Sequence, residues 1–374
     1  MPRLSHLLRR LALPSLLVLL GACAQQSAPA AQPAAPAAAP SAAAPAQPTS
    51  APAASSAAAP PARVKVRMGK LPTVSDSGMH LAVEKGYFAE EGLDVESIPF
   101  DSAAQMVAPL GAGQLDAGGG STSAGLYNAI SRDLPLKIVA DKGSFPPGAG
   151  WLTLLVRPDL ADQVRDYSDL RGRKIAINQF GTTNDIAIDT ALKKGGGTLQ
   201  DVELVQLPFP DINSALSNRS IDLGLQNEPF LAAAVEQGIG VKFHSIDEWY
   251  PYMQFSVILY GPQFVRGHPD AAKRWMVAYL RGVRDYDDAI LKGINKDEVV
   301  RLIMKQVTIR DASLFDKMAP IGLDPDGKVN AEGVRNDMRW FVERGLVQNP
   351  PDLDQVLDPS FAEYAVSRLG PYQR

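Results

Sequence analysis

The chain has 374 residues, 45% of them hydrophobic and 21% charged, with 37 Lys+Arg against 41 Asp+Glu and a single cysteine. A formal charge of −4 and a pI near 5.7 exclude the basic footprint of a nucleic-acid binder, and one cysteine excludes an internal disulfide scaffold. No apolar run reaches the ~20 residues of a membrane-spanning helix, which excludes a polytopic helical membrane protein. Four histidines and one cysteine leave little material for a metal site, so neither metal nor cofactor is expected.

Residues 1–23 read as a leader. Arg3, Arg9 and Arg10 precede the apolar stretch Leu11 to Leu20, too short to span as a mature helix. The stretch ends Leu20-Gly21-Ala22-Cys23, which resembles a bacterial lipoprotein signal. That resemblance implies lipidation of Cys23, an extracytoplasmic location and a membrane anchor that does not span. Loss of the three leader arginines takes the charge from −4 to −7. Residues 24–62 follow as a tether, with 20 Ala and 9 Pro among 39 positions and no charge. The prolines forbid a continuous helix, and nothing in the segment supplies a core.

From residue 63 the pattern is α/β. Val64 to Met68 reads as a strand, 78–86 as a helix, Leu93 to Ile98 as a strand and 102–112 as a helix. Asp116 to Gly119 is a short strand before a helix starting near 122, and Leu136 to Ala140 is a further strand. The order then recurs. Ala82-Val83-Glu84-Lys85-Gly86 matches Ala191-Leu192-Lys193-Lys194-Gly195 at an offset of 109, as does Ile98-Pro99-Phe100 with Leu207-Pro208-Phe209. Leu115-Asp116-Ala117-Gly118 matches Ile221-Asp222-Leu223-Gly224 at 106. Two similar lobes with largely parallel sheets are expected, lobe one from 63–154 and 256–374, lobe two from 155–255. Trp151 to Val156 and Phe255 to Tyr260 are the expected crossovers. The helical stretches Ala271 to Ile290 and Ala331 to Glu343 should complete lobe one. Ligands of open α/β sheets lie beyond the carboxyl ends of the strands, which places the expected site between the lobes.

The run Ala82-Val83-Glu84-Lys85-Gly86-Tyr87-Phe88-Ala89-Glu90-Glu91-Gly92-Leu93-Asp94-Val95 resembles a hallmark of ABC-importer solute-binding proteins, in the group of nitrate, taurine, aliphatic sulfonate and thiamine-pyrimidine binders. Ala112–Asp116, Asp169–Ala176, Asp201–Leu204 and Asn227–Phe230 resemble the same group in order and spacing. The resemblance implies a type II periplasmic-binding-protein fold with a two-segment hinge. It also implies a monomer that captures a small solute by lobe closure and delivers it to separate permease and ATPase chains.

Four loops are the candidate contacts. In the first, Ser75, Asp76 and Ser77 follow the first strand; they either touch the solute, as this loop commonly does in the family, or cap the next helix. In the second, Gly120, Ser121 and Thr122 lie in a glycine run before a helix, where backbone amides suit an anion. In the third, Gln179, Phe180, Gly181, Thr182 and Thr183 form the corresponding helix start, with Phe180 able to stack. In the fourth, Asn227 and Glu228 precede Pro229; Glu228 either stabilises the helix start or accepts from a solute amine. Trp151 is a candidate for an apolar pocket wall. None of these loops holds a lysine or arginine, which tempers a strongly anionic solute. A ligand sensor remains an alternative, as does an enzyme resembling the pyrimidine synthases, although Cys23 and the scattered His80, His244 and His268 do not supply that chemistry.

Overall fold

The computed structural model describes residues 63–307 and 311–373. The leader, Cys23 and the Ala/Pro-rich tether lie outside the described residues. Ten strands occur in chain order: β1 Val64–Lys70, β2 Leu93–Pro99, β3 Ala117–Ser121, β4 Lys137–Ser144, β5 Leu152–Val156, β6 Lys174–Ile177, β7 Glu203–Gln206, β8 Leu223–Asn227, β9 Val241–Ser245 and β10 Gln254–Tyr260. They form two five-stranded sheets, β2-β1-β3-β10-β4 and β7-β6-β8-β5-β9. In each, the first three strands pair in parallel and the fourth runs antiparallel to both neighbours. The duplicated pattern in the sequence is thus a duplicated sheet.

Strands β5 and β10 cross between the halves. Each follows one lobe in sequence and lies inside the sheet of the other, and every residue of both is buried. A strand covered on both faces reads as a nearly continuous apolar run, as Leu152-Thr153-Leu154-Leu155-Val156 does. Within the expected crossover Trp151 to Val156, Leu152 already pairs with Asn227 in the second sheet.

The aspartates of the two matched Leu/Ile-Asp motifs have the same job. The Asp116 carboxylate accepts the Arg67 backbone N–H at 2.7 Å, and Asp222 accepts that of Lys174 at 3.0 Å. Each clamps the third strand of its sheet to the first. Arg67 also forks Asp116, with Nε and Nη2 at 3.2 and 3.1 Å.

Strand β4 runs past the expected end at Ala140 to Ser144 and buries Asp141 and Lys142. Two adjacent charges are unusual inside a strand, but each has partners inside. Asp141 accepts from Gln254 Nε2 at 2.7 Å, the Asp324 N–H at 2.8 Å and the Gly143 N–H at 3.2 Å. Burial, the largest influence, still pushes its pKa up to about 7.

The hinge is aromatic. Phe145 and Trp151 stack at 4.6 Å, and Phe255 meets both edge-on at 5.7 and 5.6 Å. The Trp151 indole donates to Ser144 O at 2.9 Å, and the Tyr252 N–H donates to Phe145 O at 2.8 Å, tying the two crossovers together. Trp151, a candidate for a pocket wall, is 1% exposed with its one donor satisfied, so hinge packing accounts for it. Trp151→Ala should lower unfolding stability by roughly 3–5 kcal/mol, read from urea denaturation. A loss below about 1 kcal/mol would show that the cluster is not what holds the crossovers.

Candidate functional site

All four candidate loops lie at carboxyl ends of parallel strands, after β1, β3, β6 and β8. The second and third meet directly across the lobes. The Ala124 N–H donates to Gly181 O at 2.9 Å and the Thr183 N–H to Thr122 O at 3.2 Å, an antiparallel bridge centred on Ser123 and Thr182. Gly181 has φ +68°, which lets the chain turn its carbonyl toward the other lobe.

The hydroxyls at this seam have local work. Thr182 caps the helix Thr183–Lys194 by accepting the Asn184 N–H at 3.2 Å, and Asp185 returns a bond to the Thr182 N–H at 2.9 Å. Thr183 Oγ1 donates to Phe255 O on β10 at 3.2 Å. Thr122 donates to Asp337 on the helix Ala331–Glu343 at 3.2 Å, so its side chain faces that helix. Ser123, outside the expected set, caps the helix Ala124–Ile130. Ser121 is half-buried at the end of β3. Phe180 is 45% exposed, and its N–H donates to Gln206 Oε1 at 3.2 Å. Gln179 gives its carbonyl to the Thr182 hydroxyl at 2.9 Å.

The glycine run before this seam answers to packing. A Cβ on Gly119 would lie 2.4 Å from Val257 O and 2.9 Å from Lys142 Cδ, and one on Gly120 would lie 2.4 Å from Ala103 Cβ. Neighbouring protein atoms therefore already require these glycines, whatever lies in the cleft.

Sequence reasoning missed the cation of the site, because it comes from a strand and not from a loop. Lys142 on β4 is the only buried lysine or arginine among the described residues. Its Nζ lies 2.5 Å from Asp76 Oδ1 and 3.3 Å from Ser75 Oγ, with both charged side chains wholly out of solvent. Asp76 also accepts the Leu71 N–H at 2.8 Å and makes no capping bond to the following helix. Ser77 is engaged with Val74 O at 2.6 Å. His80 lies on the same helix with both ring nitrogens buried and without hydrogen-bond partners. Burial pushes its pKa down to about 4 against the pull of Asp76, so it is neutral at physiological pH. The sequence signal for Lys142 was a charged pair interrupting an otherwise apolar strand.

In the fourth loop, Glu228 accepts the Ala232 N–H at 2.9 Å and the Ala319 N–H at 3.3 Å. Pro229 occupies the N-cap of the helix Phe230–Glu236, one position earlier than its favoured place, and Glu228 satisfies the N3 donor there. Burial pushes its pKa up to about 7. The neighbouring Asn227 is 3% exposed, and its Oδ1 has no hydrogen-bond partner.

The profile of the NMT1/THI5-like family matches residues 75–288, more than half of the chain and all four loops. The chain belongs to that family. A binding protein of Brucella abortus is 27% identical over 285 residues, covering 73% of this chain and 83% of that one. A formylaminopyrimidine-binding protein of Halalkalibacterium halodurans is 25% identical over 301 residues, covering 77% and 87%. The periplasmic nitrate-binding protein NrtA from Synechocystis superposes with TM-score 0.69 at 15% identity, covering 82% and 89%. The fold is therefore the type II periplasmic-binding-protein fold expected from the sequence. The desulfurization enzyme DSZB shares it at TM-score 0.56 and 17% identity, covering 82% and 100%, so the fold alone does not separate binder from enzyme.

Lys142→Met should be costly, about 3–5 kcal/mol, because it strands Asp76 out of water without a partner. Adding Asp76→Asn should recover most of the loss. Equal instability of the single and double variants in thermal denaturation would contradict this account of the pair.

Ionisation of Glu228 gives a pH signature. Its pKa is raised on folding, so its contribution is full below the ordinary glutamate range and falls as pH rises toward about 7. Glu228→Gln should flatten that part of the stability–pH curve, measured by denaturant titrations between pH 4.5 and 8. An unchanged slope would place the carboxylate in water.

Proposed function

We propose that this family member is the extracytoplasmic solute-binding component of an ABC importer, acting without chemistry on its solute. It captures a small molecule between its lobes and passes it to separate permease and ATPase chains. The observation that carries the reading is the meeting of equivalent strand ends, Thr122–Ala124 from one lobe and Gly181–Thr183 from the other. Interactions made only when the lobes meet are what a ligand-driven closure uses. The Leu20-Gly21-Ala22-Cys23 sequence and the Ala/Pro-rich tether support a lipid anchor at Cys23 that holds a monomer to the outer side of a bacterial membrane.

The charge inventory favours an uncharged, hydrogen-bonding solute of the pyrimidine kind. Lys142 is neutralised by Asp76, and Glu228 is engaged with backbone donors, so neither carboxylate is free for a solute amine. The groups left to meet a solute are the half-buried Ser121 and the Asn227 Oδ1, with exposed Phe180 available to stack on a flat ring. The 25% identical formylaminopyrimidine binder agrees with that choice.

A thermal-shift panel tests it, holding formylaminopyrimidine, taurine, an alkanesulfonate, nitrate and bicarbonate. A ligand at 100 times its Kd stabilises the fold by about 2.7 kcal/mol. The pyrimidine should shift the melting temperature, and Phe180→Ala should weaken its binding about tenfold. A shift with sulfonate or nitrate alone would replace this solute class with an anion held by the helix N-termini.

A further inference from the structure

The C-terminal part was expected to complete lobe one, yet one piece of it leaves that lobe. The chain is fixed to lobe one at Gln306, which bonds Lys70 Nζ and Glu84, each at 2.5 Å. Leu314 then packs with Ala232 and Ala233 of the lobe-two helix Phe230–Glu236, in an apolar cluster separate from the main core. Lys317 pairs with Glu236 of the same helix at 2.5 Å, and the Ala319 N–H reaches Glu228. The segment returns to lobe one where the Ile321 N–H donates to the Tyr286 hydroxyl at 2.9 Å, and Gly322 O accepts the Ser144 N–H at 2.8 Å. Asp316 keeps a bond back to Lys296 of lobe one at 2.7 Å.

We propose that Asp311–Gly322 is an interlobe latch, which holds the lobes together from the side of the helix Phe230–Glu236 while the Ser123–Thr182 bridge joins them at the other pair of loops. Leu314 is the hook, because Ala232 and Ala233 present only methyl groups and gain their buried cover from it, with the half-buried Met318 beside it. Glu228 is a positioning residue that aligns the segment through Ala319, and not a solute ligand. Parting the lobes separates Leu314 from its alanines and Lys317 from Glu236, so the latch adds to the Trp340 and Arg344 contacts with Asp189 in setting how readily the closed form opens. The link to solute release rests on the solute-binding reading; the latch itself does not, and its test is run without solute.

The test is hydrogen exchange on the purified full chain, read at the Ala124 and Thr183 amides, whose acceptors belong to the opposite lobe. Leu314→Ala should speed exchange at both by tenfold or more and leave the Leu154 and Ile258 amides in the two sheets unchanged. Lys317→Glu should speed it severalfold, and the charge swap Lys317→Glu with Glu236→Lys should restore the original rate. This rescue keeps the test decisive if Leu314→Ala disturbs folding. Unchanged exchange at Ala124 and Thr183 in both single variants, or a charge swap that fails to rescue, would overturn the latch. A silent solute panel alongside faster seam exchange would overturn the solute assignment and leave the latch standing.

Discussion

A lysine without access to water organises the lobe-one half of the cleft. Burying an ammonium costs several kcal/mol unless a carboxylate and further acceptors surround it, and Lys142 has Asp76 and Ser75. The consequences spread outward. Asp76 must be drawn inward, so it binds Leu71 and leaves the next helix uncapped. The stem of Lys142 needs a smooth floor, which Gly119 on β3 provides. Strand β4 must continue to Ser144 to carry it, and its other face then takes Asp141 into a cage of donors. A loop that looks polar and accessible in the sequence is a sealed electrostatic unit in the fold.

The third and fourth loops show a related economy. Thr182 caps a helix and sits in the interlobe bridge, and Glu228 both caps and touches the segment from lobe one. Because Thr182 and Glu228 each have an intralobe partner as well, opening the lobes leaves neither side chain unpaired. The Trp340 indole and Arg344, by contrast, reach the buried Asp189 of the other lobe at 2.8 and 2.7 Å, and opening the lobes would break both contacts.

Much of the architecture was legible because period and composition report burial directly. The duplicated Leu/Ile-Asp motifs mark equivalent strands because both aspartates clamp a neighbouring backbone, which any drift in register would break. The helix at 331–343 was readable from its apolar spacing and is found at those bounds. The positions of the four loops followed from the strand ends. Their chemistry did not, because partners came from distant sequence. Lys142 stands 66 residues from Asp76, and Ala319 stands 91 from Glu228. Local patterning carries no information on such pairs. The packing of Trp151 was hidden for the same reason: its companions Phe145 and Phe255 belong to two crossovers separated by a whole lobe.

The reciprocal placement of β5 and β10 has a further meaning. Each repeat, β1 to β5 and β6 to β10, inserts its fifth strand into the sheet built by the other. That is the geometry of a domain-swapped pair written into one polypeptide. Neither half owns a complete sheet, so the peptide link between β5 and β6 is not what unites them. Cleaved at the exposed Asp162–Gln163 link, the two pieces would still hold each other through two central strands. Mobility between the lobes is therefore confined to rotation about a mutual exchange, and complete separation would require unfolding both.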